Sequence, residues 1–457
     1  MNTPLCQISV ALIFSLYSLF SNGQSKQETK PNIIVILVDD MGYSDLGSYG
    51  SDLHETPNID KLGKSGMIFY NAYSAGHVCT PTRASLLTGK PPVSTGLTEH
   101  IRGREFKITD KHALIPPENG KGLNLNELTI AEVLKVEGYA TGIVGKWHLG
   151  GDAYSANKQG FDYVISADKQ SKPGIINIDE HPEYRTDLIT KKAIDFVDSK
   201  KEEPFFLYLP YYAVHIPLWA KEDLLNKYEK KIKETNPVYH RNARYAAMIE
   251  TLDTNIGYLI GHLKKEKLLE NTLIVLTSDN GGLSVKEGAF TPATSNYPYR
   301  AGKGYLYEGG IKVPLMISWP GKVKANSTSE YPVVSYDFMT TISSVCGAIK
   351  EMPGSVDFSP IFLTEEEPEQ RPIFWHAPHY SNQGGKPAAA VRMGKYKLIH
   401  YFEDASNELF NLENDEGEEN NLAHILPEIR ESMSSMLTEW LEETEAKIPM
   451  PNPNYQK

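Results

Sequence analysis

The sequence predicts an α/β fold: a mostly parallel sheet sandwiched by helices, followed by a smaller antiparallel α+β unit. Three observations carry this. Residues 32–38, 205–209 and 271–278 are largely apolar runs rich in β-branched or aromatic residues, the pattern of central strands covered on both faces. Helical periodicities at 128–134, 189–199 and 245–264 alternate with them. Beyond about residue 350 the texture changes to short strands and turns.

Taken in order, residues 8–20 form an apolar stretch followed by Ser21-Asn22-Gly23-Gln24. That length suits a signal-peptide core and is too short to span a bilayer. Residues 1–23 are therefore expected to be a signal peptide, with export to the periplasm or medium and no stable membrane insertion. Strand 32–38 runs directly into Asp39-Asp40-Met41-Gly42, which puts two carboxylates at its carboxyl end, the edge where open α/β sheets bind ligands. Cys79-Thr80-Pro81-Thr82-Arg83 opens an apolar helix that ends at Gly89, so Cys79 lies at a helix N-terminus, where free N–H groups favour an anion. Helix 128–134 leads to strand 140–144, and strand 271–278 again ends in acid and amide, Asp279-Asn280-Gly281-Gly282. In the C-terminal unit, 391–401 reads as strand–turn–strand, 409–412 as an edge strand, and Ile429, Met433, Met436, Leu437, Trp440 and Leu441 mark one face of a final helix. The expected division is a catalytic domain over 24–350 and a C-terminal subdomain over 351–457 that contributes to the substrate pocket.

The chain carries 46 basic and 58 acidic residues, a net charge of −12, which argues against nucleic acid as a partner. Its three cysteines, at 6, 79 and 346, exclude a disulfide scaffold. Asp39, Asp40, Asp279 and Asn280 form an all-oxygen set at two strand ends, suited to a hard divalent cation such as calcium or magnesium.

The run from Cys79 to Gly89, Cys-Thr-Pro-Thr-Arg-Ala-Ser-Leu-Leu-Thr-Gly, resembles the signature of the sulfatase family. Residues 31–42, 145–150 and 277–282 resemble further segments of that family, and the likeness extends from about Lys30 into the C-terminal unit. It implies an alkaline-phosphatase-like fold and hydrolysis of a sulfate ester. It also implies that a maturation enzyme, formylglycine-generating or anaerobic, oxidises Cys79 to formylglycine, whose hydrated aldehyde is the nucleophile. One calcium ion would be held by Asp39, Asp40, Asp279 and Asn280 with an oxygen of residue 79; magnesium is the alternative. By the same resemblance Arg83 lies against the nucleophile and Lys146 contacts a sulfate oxygen. His148 assists the nucleophile hydroxyl, His215 approaches the leaving oxygen, and Lys303 clamps sulfate.

Specificity is expected from His100 and Arg102, which follow the nucleophile helix, and from His379 in the polar, aromatic run 378–385. That run looks like the loop bacterial carbohydrate sulfatases place over the sulfate pocket. The expected substrate is a sulfated mono- or oligosaccharide, with exo-removal of sulfate from galactose or N-acetylgalactosamine, O4 favoured. Two alternatives remain open at this stage. One is a phosphatase or phosphodiesterase of the alkaline-phosphatase superfamily; the other is an inactive sulfated-glycan-binding protein with an unprocessed cysteine.

Overall fold

The computed structural model describes residues 30–101, 107–166, 184–348 and 352–456; the expected signal segment and Arg102 lie outside them. Eight strands form the main sheet of the described residues: β1 (Asn32–Val38), β2 (Met67–Phe69), β3 (Ala140–Val144), β4 (Tyr163–Ile165), β5 (Phe205–Pro210), β6 (Thr272–Ser278), β7 (Leu315–Ser318) and β8 (Ser327–Ser329). Their spatial order is β8-β2-β7-β6-β1-β5-β3-β4. Only β7 runs against its neighbours.

The apolar run of β1 is explained by burial on both faces. Ile33, Val35 and Leu37 enter a core shared with the helices Cys79–Thr88 (α1), Ile130–Val136 (α2) and Asp337–Val345 (α3). Ile34, Ile36 and Val38 enter a second core with Arg185–Lys200 (α4) and Ala243–Lys265 (α5). This is the alkaline-phosphatase-like α/β sandwich. Thr129 caps α2 through a reciprocal bond with Glu132, a capping box that fixes where that helix begins.

A four-stranded antiparallel sheet follows: β9 (Ile373–Ala377), β10 (Ala388–Met393), β11 (Tyr396–Tyr401) and β12 (Asn407–Asn411), in that spatial order. Trp375, Ala390, Ile399 and Phe410 turn one face onto Tyr73, Leu306 and Ile311 of the preceding α/β layer. Val391, Leu398 and Leu409 turn the other face onto helix Pro427–Glu443 (α6), where Phe374 stacks on Trp440 at 4.8 Å. Buried charges also tie this sheet to Glu308, at the start of the short helix Glu308–Ile311. Lys397 Nζ, with its side chain fully buried, lies 2.9 Å from both Glu308 Oε1 and Glu418 Oε1. Burial pushes both carboxyls up; Lys397 outweighs it at Glu308, which stays low, but not at Glu418, which is pushed up to about 7.

Candidate active site

Parallel pairing of β1 with β6 sets Val38 opposite Ser278, so the two acid-bearing turns become neighbours although they are 240 residues apart in the chain. Asp40 takes a left-handed backbone, φ 59°, which Asp tolerates better than most residues. Its N–H donates to Asp279 Oδ1 at 3.1 Å, and Asn280 Nδ2 donates to Asp40 Oδ1 at 2.8 Å. The turn thereby directs Asp39 and Asp40 to one point.

Cys79 is the first residue of α1 and its thiol reaches that point. It donates to Asp39 Oδ1 at 3.3 Å, with Asp40 Oδ1 at 3.7 Å. Lys146 Nζ donates to Asp39 Oδ2 at 2.6 Å and lies 3.7 Å from the sulfur. Gly145 makes this possible: with φ 133°, it passes so close to β5 that a Cβ would sit 1.9 Å from the Pro210 carbonyl. From the far side Lys303 Nζ donates to Asp40 Oδ2 at 2.7 Å. His215 Nδ1 donates to the Ile216 carbonyl at 2.5 Å, which leaves Nε2 unprotonated in the neutral ring, 3.5 Å from Asp40 Oδ2. Ligand atoms of Asp39, Asp40, Cys79 and His215 all lie within 4.8 Å of one another.

Arg83 is fully buried. The hydrogen bonds it makes go to Asp279 Oδ2, at 2.9 and 2.6 Å, and to the Lys146 carbonyl at 2.7 Å, with Asp39 Oδ1 at 3.5 Å. Its guanidinium thus braces the acids and the Lys146 turn from behind. His148 has φ 55° and donates Nε2–H to the Ile101 carbonyl at 3.2 Å; Nδ1 is left as a buried acceptor with no hydrogen-bond partner.

Electrostatics divide the acids. Burial pushes Asp39 and Asp40 up, but Lys146 and Lys303 respectively hold both carboxyls below their usual range. Burial and Asp39 push Asp279 up to about 7 despite Arg83. Burial, then Asp279 and Asp39, push the Cys79 thiol well up, so this cysteine keeps its proton despite the helix N-terminus. Burial, Lys146 and Arg83 hold His148 neutral.

The donor set fits a hard divalent cation. Buried oxygens dominate it, and Asn280 Oδ1 is buried with no hydrogen-bond partner beside Asp40, as expected of a ligand atom. His215 is a further potential donor that the all-oxygen reading of the sequence left out.

Of the specificity candidates, His379 is buried and its Nε2 is hydrogen-bonded to Thr98 Oγ1 at 2.9 Å. Thr98 stands 281 residues away and carried no signal in the sequence. His100 pairs with Glu99 at 2.5 Å and its ring centroid lies 6.5 Å from that of His148, which puts it next to the catalytic histidine candidate. The loop 378–385 seats on the segment that carries Lys303. A Cβ on Gly385 would meet the Gly304 carbonyl at 1.8 Å, and one on Gly304 (φ 91°) would meet Ser381 Oγ at 2.4 Å. Asn382 Nδ2 and Gln383 Nε2 each donate to Glu287 at 2.6 Å, so these amides brace the loop.

Comparison with known proteins agrees with this centre. A sulfatase curated from Formosa agariphila is 31% identical, over 96% of this chain and 95% of its own. The N-acetylgalactosamine-6-sulfatase of Canis lupus familiaris is 31% identical, over 82% of this chain and 72% of its own. The crystal structure of Ps i-CgsB in complex with k-i-k-neocarrahexaose superposes with a TM-score of 0.75 at 31% identity, over 90% of this chain and 93% of that one. The model of the N-sulphoglucosamine sulphohydrolase C-terminal family matches residues 300–447, and that of the sulfatase family matches residues 31–348. Since the latter match takes in the whole main sheet and both acid-bearing turns, this protein belongs to the sulfatase family and is an enzyme of the hydrolase class.

Proposed function

We propose that the protein removes sulfate from galactose or N-acetylgalactosamine units of sulfated glycans, acting at the chain end and at O4 first, through a formylglycine made from Cys79 by a maturation enzyme. The observation that carries the chemistry is the placement of Cys79 at a helix start between Lys146 and the Asp39–Asp40 pair. A protonated thiol is a poor nucleophile, so the position needs the hydrated aldehyde, which supplies a hydroxyl oxygen to attack sulfur. Asp39, Asp40, Asp279, Asn280 and an oxygen of residue 79 would hold calcium, which when bound neutralises a sulfate oxygen. Lys146 and Lys303 flank the point where the sulfate oxygens gather charge, and buried cations there stabilise the transition state most. His148, neutral with a bare Nδ1, is the acceptor for a hydroxyl proton at residue 79. Lys303 is the proton donor for the leaving sugar oxygen; the bare Nε2 of the neutral His215 then accepts a hydrogen bond from the sugar hydroxyl so formed. Arg83 holds the acids. The net reaction adds one water across the sulfur–oxygen ester bond.

For the sugar, the support is the placement of His379 against Thr98, two residues before His100, and the seating of 378–385 on the Lys303 segment; Arg102 lies outside the described residues and rests on the sequence alone. On this reading 24–350 supplies the chemistry and 351–457 completes the pocket. The relative named for N-acetylgalactosamine-6-sulfate makes O6 the first competitor to O4. No helix of the described residues is long and apolar enough to cross a membrane. With residues 1–23 as a signal, the enzyme works in the periplasm or outside the cell.

The test is two measurements. Peptide mass at residue 79 reports formylglycine or cysteine, and an intact cysteine in active enzyme refutes the nucleophile. A panel of monosaccharide sulfates varied at O2, O3, O4 and O6 reports the substrate, and faster turnover of glucosamine or uronic-acid sulfates refutes the sugar assignment.

A further inference from the structure

A second cluster of ionisable groups lies behind the Asp39–Asp40 turn. Asp45, His54 and His240 bring ligand atoms within 4.8 Å of one another, with side chains 0%, 1% and 2% exposed. His240 Nδ1 donates to Asp52 Oδ1 at 2.6 Å. That bond fixes the ring, and Nε2 is buried with no hydrogen-bond partner, 3.5 Å from Asp45 Oδ1. His54 Nδ1 lies 3.7 Å from the same oxygen, and the two imidazole centroids are 4.7 Å apart.

An imidazole nitrogen that faces a carboxylate oxygen in a dry site calls for a positive charge between them. A proton is the first candidate, but a charge-assisted N–H···O bond closes to about 2.7–2.9 Å. His240 makes such a short bond on its Asp52 side and not on its Asp45 side. The 3.5 and 3.7 Å separations are instead close to the edge of a tetrahedron, about 3.3–3.4 Å for bonds of about 2.0–2.1 Å. An imidazole that hands its other N–H to a carboxylate is also the usual outer arrangement of a metal-bound histidine.

We propose that Asp45, His54 and His240 bind a second metal ion of the zinc class, separate from the catalytic cation. Two nitrogens and one carboxylate oxygen favour zinc over calcium. His54 Nδ1–H donates to the Asp45 carbonyl at 2.9 Å, so ligation by that nitrogen moves its proton to Nε2 and turns the carbonyl toward the ion as a further oxygen. Asp45 Oδ2 accepts from Gly42 N–H and Tyr245 O–H, each at 2.6 Å. The ion would therefore anchor the far end of the turn that presents Asp40, and would tie in the chain around Asp52 and His240.

The test reads metal content and not activity, so it is independent of the sulfatase assignment. The mature protein, saturated with calcium and then dialysed against zinc, is expected to retain one zinc by elemental analysis. Asp39→Asn is expected to keep that zinc, and His240→Gln and His54→Gln to lose it. Cobalt in place of zinc should give the intense visible absorption of a four-coordinate ion, and zinc should raise the melting temperature of the wild type. No zinc uptake by calcium-saturated wild type overturns the proposal, as does full retention by His240→Gln. Should the variants fail to fold, the cobalt spectrum of wild type decides, and the weak bands of a six-coordinate ion overturn it.

Discussion

Replacing Lys303 by Ala separates a role in sulfate binding from a role in holding the metal turn. The ammonium is 2.7 Å from Asp40 Oδ2 and the residue is 6% exposed, so water screens its charge little. Two unit charges about 4 Å apart attract by about 4 kcal/mol at an effective dielectric of about 20. Deleting comparable electrostatic stabilisers in enzymes costs roughly 10²–10³ in kcat, or about 2.7–4 kcal/mol. Lys146 and Arg83 remain in the variant, so a loss of about 10²-fold in kcat is expected, with KM changed much less. Calcium affinity should move the other way. Lys303 helps to hold the Asp40 carboxyl down, yet its ammonium also competes with a cation for Oδ2. Lys303→Ala should therefore bind calcium at least as tightly as wild type. Steady-state kinetics on a sulfated monosaccharide, beside calorimetric calcium titration, checks both. A kcat within a few-fold of wild type refutes the clamp. A collapse of calcium affinity in step with kcat would show that Lys303 is a structural part of the metal turn.

Cys79→Ser, produced in a host that modifies only cysteine, should fold and bind calcium but show no turnover, because a lone hydroxymethyl cannot form the hydrated aldehyde; wild-type rates from mass-verified serine protein count against the mechanism. His379→Ala should slow sugar-sulfate hydrolysis much more than hydrolysis of a small aryl sulfate, since a lost polar partner in the pocket costs roughly 1–3 kcal/mol; equal losses on both substrates refute its role in specificity. His376 is buried with Nδ1 unpartnered and Nε2 on the Lys447 carbonyl at 3.1 Å, and burial lowers it to about 4. Its unfolded value is about 6.5, so the unfolded chain takes up the proton first: stability is intact above that pH and falls as pH drops from about 6.5 to 4, by at most about 1.4 kcal/mol per unit. The stability gap between wild type and His376→Gln should shrink between pH 7 and pH 5 in urea titrations, and parallel acid profiles would argue against it.

Continuous apolar runs made the central strands legible, because a strand buried on both faces has no reason to alternate. Residues 32–38 are a strand over those same bounds, the run 271–278 is one from Thr272 onward, and the acids that follow them meet as their parallel pairing requires. Helix ends were less legible. The stretch read as 128–134 is helical over Ile130–Val136, since Thr129 serves as its cap. The site was legible where chemistry is local, in the run from Cys79 to Arg83 and in the two acid-bearing turns. It was illegible where one group meets another across the chain. Nothing near Arg83 announces that its guanidinium will serve Asp279, 196 residues on. The left-handed backbone of His148 and the bare nitrogen it leaves depend on the Ile101 carbonyl, a packing outcome. The Asp45, His54 and His240 cluster joins residues that look like ordinary loop polar groups when read one at a time.

The buried Lys397–Glu308–Glu418 cluster bears on how relatives of this protein can recombine. Both family matches claim residues 300–348, and that shared stretch holds Lys303 and Glu308. A crossover upstream of residue 300 carries the clamp lysine, the acid and both of its C-terminal partners into the new chain together. A crossover near 350 parts Glu308 from Lys397 and obliges two unrelated lineages to match a fully buried charge. An uncompensated charge left in such a place costs about 3–5 kcal/mol. Chimaeras of this protein with its relatives should therefore be cut ahead of residue 300, which keeps Lys303, Glu308, Lys397 and Glu418 in one parental segment.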